Sequence, residues 1–212
     1  MSDPGAHVRV RLPGGPLDLL RPADPDAVAF DPVAVDEGVE ELHPPHWARL
    51  WPSGRALAGA LAGADPGLLA GRAVLELGCG LGLPSLVAAR AGADPVLATD
   101  RSAAAVGWVA ASARRAGLRV GTAVAAFSPA EDALTGRTWD LVLAADVLYG
   151  AAAATALTGL LPRVTAPGGQ VWLADPGRPE ASRWLDAVRD TWTVTTRALP
   201  DGVALHVLRR RP

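Results

Sequence analysis

The 212 residues suffice for one domain with a full hydrophobic core, since half of them are apolar. Apolar runs reach only the length of buried strands, so no membrane-spanning helix and no membrane partner are expected. The formal net charge is −2, so no strongly basic face is expected, which argues against a nucleic-acid partner. The single cysteine and the lack of a signal-peptide pattern predict a cytoplasmic protein without an internal disulfide.

The first residues of the chain differ in composition from the rest. Residues 1–42 are rich in proline and aspartate and are interpreted as an N-terminal extension ahead of a domain at 43–212. Within the extension, "HVRVRL" at 7–12 favours a strand, and 21–32 favours an irregular or partly disordered cover. The stretch "HPPHWARLWPSGRAL" at 43–57 then leads into a helix predicted from Ser53.

From Arg72 onward, strand and helix patterns alternate. Strands are predicted at 72–77, 95–100, 118–127, 139–149 and 170–175, and helices at 83–92, 102–117, 152–164 and 179–190. A turn is predicted at 166–169, and two final strands, 192–199 and 202–210, have no helix between them. The expected fold is α/β, a single doubly wound and mostly parallel seven-stranded sheet with an antiparallel C-terminal strand pair.

The most informative motif is "VLELGCGLGLPSL" at 74–86, where a buried strand gives way to a helix. Glycines Gly78, Gly80 and Gly82 follow Glu76 with a spacing that fits neither register of the dinucleotide fingerprint. Their G-x-G-x-G pattern is typical of methyltransferases that bind S-adenosylmethionine. Glycine permits positive φ in the tight turn and lets a ligand approach the backbone, and the helix N-terminus offers free N–H groups.

The residues that end the next strands should lie around the same ligand, because ligands of such sheets bind at the carboxyl ends of the strands. Asp100 is expected to accept hydrogen bonds from ribose hydroxyls, with a helix-capping role as the alternative. Phe127 is either a stacking partner of adenine or an ordinary core residue. Ala145 is small enough to let the cofactor pass. Glu76 is expected to accept hydrogen bonds from the loop or the cofactor amine.

A second group of polar residues lies on the rim of the predicted sheet. Asp146 and Tyr149 follow the fourth strand and lie one helical turn apart if the chain coils there. Asp175 and Arg178 follow the fifth strand in "ADPGRP". The alternative for this last pair is a solvated turn with a local ion pair.

The segment upstream of the first predicted helix carries aromatic and histidine side chains. Trp51 is placed to cover a sulfonium, because an aromatic face attracts a cation. Trp47 is either part of the site or core, and His46 is a base or a hydrogen-bond partner. No metal site is expected, since four scattered histidines and one cysteine have no ligand spacing.

The sequence resembles the seven-strand (class I) S-adenosylmethionine-dependent lysine methyltransferases, and most closely the electron transfer flavoprotein β-subunit methyltransferase branch and its bacterial relatives. The resemblance covers roughly residues 43–190. It rests on "PHWARLWPSGRAL", "LELGCGLG", "ATD", "DVLY" and "DPGRP". The glycine motif alone indicates only a methyltransferase, whereas the other pieces are far more selective.

The resemblance implies S-adenosylmethionine as cofactor, and it implies roles for individual residues. The family usually has Asp-Trp after strand three, where this chain has Ala126 and Phe127. Asp146 and Tyr149 would lie beside the accepting amine as the catalytic pair. The cofactor contacts expected from motif and resemblance together are Trp51, Glu76, Gly78, Cys79, Gly80, Gly82, Asp100, Phe127 and Ala145, with Cys79 interpreted mainly as a small buried filler. The expected substrate contacts are His46, Trp47, Asp175 and Arg178.

These observations favour a protein-lysine N-methyltransferase that acts as a monomer or weak homo-oligomer. A small-molecule N- or O-methyltransferase is the first alternative, because fold does not fix substrate. It predicts a closed lid, whereas a protein acceptor needs an open groove near Asp146 and Arg178. A non-catalytic binding protein is the third possibility and predicts a disabled glycine loop.

Overall fold

The computed structural model of the protein describes residues 5–28, 46–128 and 132–211. The strands in these ranges are β1 (Ala6–Val10), β2 (Leu17–Arg21), β3 (Val74–Leu77), β4 (Val96–Asp100), β5 (Gly121–Val124), β6 (Trp139–Ala145), β7 (Thr165–Asp175), β8 (Trp192–Ala198) and β9 (Ala204–Arg210). The α-helices are α1 (Pro52–Ala62), α2 (Leu83–Arg90), α3 (Ala103–Ala116), α4 (Asp132–Thr135), α5 (Ala151–Val164) and α6 (Pro179–Ala187).

Seven strands form one sheet in the order β5-β4-β3-β6-β7-β9-β8. β3 pairs in parallel with β4 and β6, whereas β9 runs antiparallel to β7 and β8. The predicted doubly wound sheet with an antiparallel C-terminal pair is therefore confirmed. The chain runs from β3 outward to β5 and then returns to β6 on the other side of β3. The topological switch point thus lies at the carboxyl ends of β3 and β6, where ligands of such sheets bind.

Helices cover both faces of the sheet, because successive side chains of a strand point to opposite faces. Val74 of β3 and Leu141 of β6 belong to a core cluster with α1 and α2. Leu75 and Val142, one residue further along, belong to a second cluster with α5 and α6. Glu76 alternates with Leu75, so its side chain lies on the same face as α1 and α2.

β1 and β2 form a separate antiparallel hairpin at the start of the described chain. Leu19 of this hairpin is fully buried in the cluster that contains α1 and α2. The backbone N–H of Leu20 donates to Ser112 Oγ of α3 at 2.9 Å, and Arg90 of α2 donates to the carbonyls of Gly15 and Pro16. The hairpin is thereby part of the hydrophobic core.

Several element boundaries differ from the sequence prediction. The predicted third strand is shorter, since β5 covers only Gly121–Val124. The predicted fourth strand ends four residues early, at Ala145, because Asp146 adopts a φ of 64° and breaks the extended backbone. The predicted turn at 166–169 lies within β7, where the register jumps between a Trp139–Thr165 pair and a Leu141–Gln170 pair.

Some predictions concern residues outside the described ranges. The boundary between extension and domain, at residues 42 and 43, lies there, as does the end of the cover predicted at 21–32, from residue 29 onward. The division into residues 1–42 and 43–212 therefore stays a prediction. Among the described residues, no helix has the length and apolar character needed to cross a membrane.

Candidate functional site

The glycine motif forms a left-handed loop between β3 and α2. Gly78, Gly80 and Gly82 have φ values of 62°, 50° and 67°, which side chains with a Cβ adopt only with strain. A Cβ on Gly78 would lie 2.9 Å from Phe127 Cζ, and one on Gly80 would lie 3.3 Å from the Trp47 carbonyl oxygen. Both glycines thus let neighbouring segments approach the loop closely.

Gly82 has a clear packing role. It is the N-cap residue of α2, and a Cβ there would lie 2.6 Å from Val109 Cγ2 of α3. The absence of a side chain lets the start of α2 pack directly on α3. No sequence pattern predicts this close approach of two helices, because it depends on how they are oriented across the sheet.

Glu76 is buried beneath the first turn of α2. Its Oε2 accepts hydrogen bonds from the backbone N–H of Ser85, at 2.9 Å, and from the Ser85 hydroxyl. Burial raises the pKa of Glu76 to about 8, although the bonds from Ser85 oppose that rise. Ser85 is not among the site residues predicted from the sequence, since no local pattern links it to Glu76. The loop is therefore anchored to α2 by a buried carboxyl group.

Asp100 ends β4 and faces the glycine loop. Its Oδ2 accepts from the Gly80 N–H at 2.9 Å, and its Oδ1 accepts from the Ser102 N–H at 3.0 Å. Ser102 itself caps α3, with its hydroxyl accepting from Ala105 N–H. The helix cap is thus provided by Ser102, and Asp100 is a buried carboxylate held against the loop.

Cys79 is buried within the same loop. Its backbone N–H donates to the Thr99 carbonyl of β4 at 2.8 Å. Burial is the main cause that raises the pKa of its thiol well above the usual value, with Glu76 and Asp100 adding to it. A thiol with a raised pKa is a weak nucleophile, which agrees with the interpretation of Cys79 as a small buried filler.

The segment that precedes α1 lies against the glycine loop. His46, Trp47 and Ala48 form one short helical turn, and the Trp47 backbone approaches Gly80 as described above. The Trp51 indole N–H donates to the His46 carbonyl at 2.7 Å, and the two rings lie 5.7 Å apart. Trp51 is 37% exposed and occupies the N-cap position of α1, without a capping hydrogen bond from its side chain. An aromatic face thus remains accessible beside the loop.

Phe127, Ala145 and Val147 link the loop to the rim of the sheet. Val147 Cγ1 lies 3.1 Å from the Cβ position of Gly78, on the same side as Phe127. Phe127 is partly buried and packs on the core cluster around α5, so it lies at the border between the core and the loop. Ala145 ends β6, two residues before Val147. The loop and the rim residues therefore adjoin each other in the structure.

Asp146 is the most strained residue of this rim. It is one of two non-glycine residues with positive φ in the described chain, the other being Asp201. Its backbone N–H donates to the Ala174 carbonyl of β7 at 2.9 Å, which holds the left-handed conformation in place. Non-glycine residues in this region cluster at functional sites, because the surrounding structure must impose the strain.

Arg178 forms an ion pair with Asp146 and lies close to Asp175. The local ion pair between Arg178 and Asp175 considered as the alternative is present, at 3.9 Å, but Asp175 is buried rather than solvated and Arg178 also contacts Asp146. Asp175 Oδ1 accepts from the backbone N–H groups of Gly177 and Arg178, both at 2.7 Å. Residues from two neighbouring strand ends are thus joined in one charged cluster.

Tyr149 does not lie on a helix with Asp146. Residues 146–150 are irregular, and α5 begins at Ala151, so the condition for a spacing of one helical turn between the two residues is not met. The positive φ of Asp146 turns the backbone out of the strand, and Gly150, with an extended backbone, then caps α5. The Tyr149 side chain is 56% exposed, on the outer side of the rim.

A family model described as lysine methyltransferase matches residues 47–189 of the chain. The electron transfer flavoprotein beta subunit lysine methyltransferase of Danio rerio is 35% identical over 139 residues, which cover 64% of this chain and 52% of that protein. The chain spans about half the length of the curated relatives it matches.

Solved structures show the same fold at low sequence identity. A T. thermophilus 16S rRNA N2 G1207 methyltransferase, in complex with AdoMet and guanosine, has a TM-score of 0.70 and 19% identity, over 98% of this chain and 51% of that chain. The ribosomal protein L11 methylase of Lactobacillus delbrueckii subsp. bulgaricus has a TM-score of 0.61 and 18% identity, over 89% and 92% respectively.

Proposed function

Because the chain belongs to the lysine methyltransferase family, we propose that it transfers a methyl group from S-adenosylmethionine to a lysine amine of a protein. The observation that carries this proposal is the continuity of the site. Val147 lies 3.1 Å from the Cβ position of Gly78 in the loop and follows Asp146 directly in the chain. A cofactor on the loop would therefore present its methyl group near the carboxylate of Asp146.

The residues present fit S-adenosylmethionine. Gly78 and Gly80 leave the backbone of the loop without side chains, Asp100 offers a carboxylate for ribose hydroxyls, and Trp51 offers an aromatic face for a positively charged sulfonium. The bound cofactor would supply an activated methyl group for an in-line displacement. The protein's own contribution is to position the donor and the amine and to exclude water.

Asp146 and Tyr149 would act on the amine. A lysine amine has a pKa of about 10.4 and reacts only after losing its proton. Asp146 would hold the ammonium in place until a water accepts the proton, and Tyr149 would hydrogen-bond the amine at the rim. His46 and Trp47 would line the approach together with Asp175 and Arg178. The exposure of Tyr149, at 56%, and of Arg178, at 33%, supports an open rim that suits a protein chain.

Cofactor binding and methyl transfer can be tested one after the other. S-Adenosylhomocysteine is titrated calorimetrically into the protein, with NAD as the control ligand, and only the former is expected to bind. The protein is then incubated with methyl-labelled S-adenosylmethionine and electron transfer flavoprotein β subunit, the acceptor named for the relatives, or with cell lysate. The chain contains no lysine, so lysine labelling arises only from an acceptor.

The matched control is the same acceptor with its lysines acetylated. Label on the native acceptor and none on the acetylated one would support lysine transfer. Binding of S-adenosylhomocysteine with equal labelling of both acceptors, or with labelling confined to small molecules of the lysate, would contradict the protein-lysine assignment. A failure to bind S-adenosylhomocysteine would contradict the enzyme assignment altogether.

The remaining expectations concern the cellular compartment, the oligomeric state and nucleic-acid binding. We expect a cytoplasmic enzyme that works as a monomer or weak homo-oligomer and binds no nucleic acid. The buried, unpaired Cys79 supports a reducing compartment, and the near-balanced charge supports the absence of a nucleic-acid partner. Sedimentation and an electrophoretic shift assay with RNA would test these points.

A further inference from the structure

The charged cluster at the rim holds two carboxylates and one guanidinium. Arg178 forms its ion pair with Asp146, whose side chain is 13% exposed. The same guanidinium nitrogen, Nη1, lies 3.9 Å from Oδ2 of Asp175, whose side chain is 1% exposed. Arg178 is thus positioned between two acids, and it bonds closely to only one of them.

Asp175 has one satisfied oxygen and one that is not. Oδ1 accepts two backbone N–H groups, from Gly177 and Arg178. Oδ2 is buried and has no hydrogen-bond partner. A buried carboxylate oxygen without a hydrogen bond is costly, and the nearest cation, Arg178 Nη1 at 3.9 Å, is too far away to donate one. Oδ2 of Asp175 can therefore accept a hydrogen bond from a cationic donor.

The charges of the cluster do not balance. Asp146 and Asp175 together carry two negative charges when ionised, and Arg178 carries one positive charge. His206 lies near enough to interact with Asp175, but burial lowers its pKa, which favours the neutral ring, and its Nδ1 bonds to Thr196 Oγ1 at 2.8 Å. One further positive charge would neutralise the cluster, and a lysine ammonium supplies one.

We propose that Arg178 occupies, in the free enzyme, the place on Asp146 that the acceptor ammonium takes during catalysis, and that it moves to Asp175 Oδ2 when the acceptor binds. This inference rests on the proposed function, because it assigns the acceptor to Asp146. Arg178 then competes with the acceptor for Asp146. When the acceptor binds, Arg178 is displaced to Asp175.

The movement required is small. Closing the 3.9 Å separation to a charge-assisted hydrogen bond of about 2.8 Å takes a shift of about 1 Å. The backbone N–H of Arg178 can stay on Asp175 Oδ1 throughout, so the turn that carries the guanidinium does not have to change. The exchange leaves each acid with one cation and satisfies the vacant oxygen.

The exchange also selects among acceptors. An amine that binds only through its own charge gains only the pairing of Asp175 Oδ2 with the displaced Arg178, since on Asp146 it replaces one cation by another. A lysine held in place by the rest of a protein substrate brings additional binding energy and can displace Arg178. The arrangement therefore favours a lysine within a protein over a free small amine.

The first test needs no acceptor. The Asp146→Asn substitution removes the charge that holds Arg178, and asparagine tolerates the left-handed backbone at this position. The crystal structure of this variant is the measurement. We expect an Arg178 nitrogen within hydrogen-bonding distance of Asp175 Oδ2. An Arg178 side chain that stays near residue 146, or turns to solvent while Oδ2 remains unpaired, would overturn the exchange.

The second test is a double-mutant cycle, with Nα-acetyl-L-lysine methylamide as acceptor and saturating S-adenosylmethionine. Arg178→Gln is expected to lower the KM for this acceptor about tenfold, since the competitor is gone, and Asp175→Asn to raise it about tenfold. The asparagine keeps an Oδ1 that accepts the two backbone N–H groups. In the Arg178→Gln background, Asp175→Asn should have almost no effect on KM.

A merely structural Arg178 predicts the opposite sign, with a higher KM after its removal. Additive effects of the two substitutions would likewise overturn the exchange, because Asp175 would then act without Arg178. If wild-type protein methylates no lysine, while Arg178 moves to Asp175 in the Asp146→Asn crystal structure, the proposed function fails, and of the exchange only the movement of Arg178 between the two acids is retained.

Discussion

The carbonyl oxygen of Trp47 lies 3.3 Å from the position of a Cβ on Gly80, so the segment before α1 closes directly on the cofactor loop. Trp51 belongs to the same segment and contacts His46. Two stretches more than thirty residues apart in sequence therefore lie in direct contact. The same contact makes Gly80 the most informative position at which to test the loop.

Gly80→Ala is expected to weaken binding of S-adenosylhomocysteine about tenfold, because a Cβ would strain the left-handed backbone by about 1–2 kcal/mol and press on Trp47. Calorimetric titration measures the effect. Gly59→Ala in α1 is the matched control, since a Cβ there meets nothing within 4 Å and glycine-to-alanine changes in helices are stabilising. Equal affinity of both variants would argue against a ligand on the loop.

Asp100→Asn should weaken cofactor binding between tenfold and a hundredfold, about 1.4–2.8 kcal/mol, because the ribose hydroxyls lose charge-assisted hydrogen bonds. The amide oxygen can still accept from the Gly80 N–H, but the amide nitrogen then replaces the oxygen that accepts from the Ser102 N–H, so a thermal unfolding measurement on the variant is needed to show that the fold persists. Asp65→Asn, at an exposed turn where Asp65 Oδ1 accepts from Gly67 N–H, controls for loss of charge alone. Unchanged affinity of the Asp100→Asn variant for S-adenosylhomocysteine would contradict the assignment of Asp100 to the ribose hydroxyls.

The raised pKa of Glu76 predicts how the stability of the protein depends on pH. Its pKa is about 8 in the folded protein, against an ordinary value of 4.5 for a solvated glutamate, so the native state binds the extra proton between these values. The free energy of unfolding should therefore fall as pH rises from 4.5 to 8, by at most about 1.4 kcal/mol per pH unit from this group. The contribution is complete below the lower pKa and lost above the higher one.

Glu76→Gln should remove that part of the dependence. Urea unfolding near the two ends of this window, at about pH 5 and about pH 8.5, is the measurement, and the variant is expected to lose less stability than wild type between the two. The comparison between proteins cancels the contribution of other titrating groups. Parallel pH profiles would mean that Glu76 ionises normally despite its burial.

Asp146→Ala is expected to abolish methyl transfer, with a loss of at least about a hundredfold in kcat, while S-adenosylhomocysteine still binds. Asp201→Ala is the matched control, because Asp201 also has positive φ, at 60°, but lies at the exposed turn before β9. Both variants trade an aspartate for alanine in a left-handed conformation. Comparable activity in the two would refute a specific role for Asp146 in handling the amine.

The sheet and the loop were predictable because their signals are local. Alternating apolar strands and capped helices repeat along the chain, and Gly78 to Gly82 occur just where a strand gives way to a helix. The predicted Ser102 cap and Gly117 end of α3 are both observed, with Gly117 at a φ of 65°. These features depend on neighbouring residues and on backbone preferences that glycine and serine express by themselves.

The features that were not predicted depend on contacts between distant segments. Ser85 accompanies Glu76 only because α2 folds back over the end of β3. Arg178 bonds to Asp146, thirty-two positions away, only because β6 and β7 are neighbours in the sheet. The early end of β6 at Ala145 likewise comes from the Ala174 carbonyl that holds Asp146, and no pattern in "AADVLYG" announces it.

The hairpin formed by β1 and β2 has a practical consequence for protein production. A shortened protein that begins near residue 43 would follow the sequence-predicted domain boundary. It would also uncover the apolar surface on which Leu19 is buried and leave Ser112 without its backbone partner. Such a fragment should express poorly and aggregate, so laboratory versions of this enzyme should retain residues 5–28.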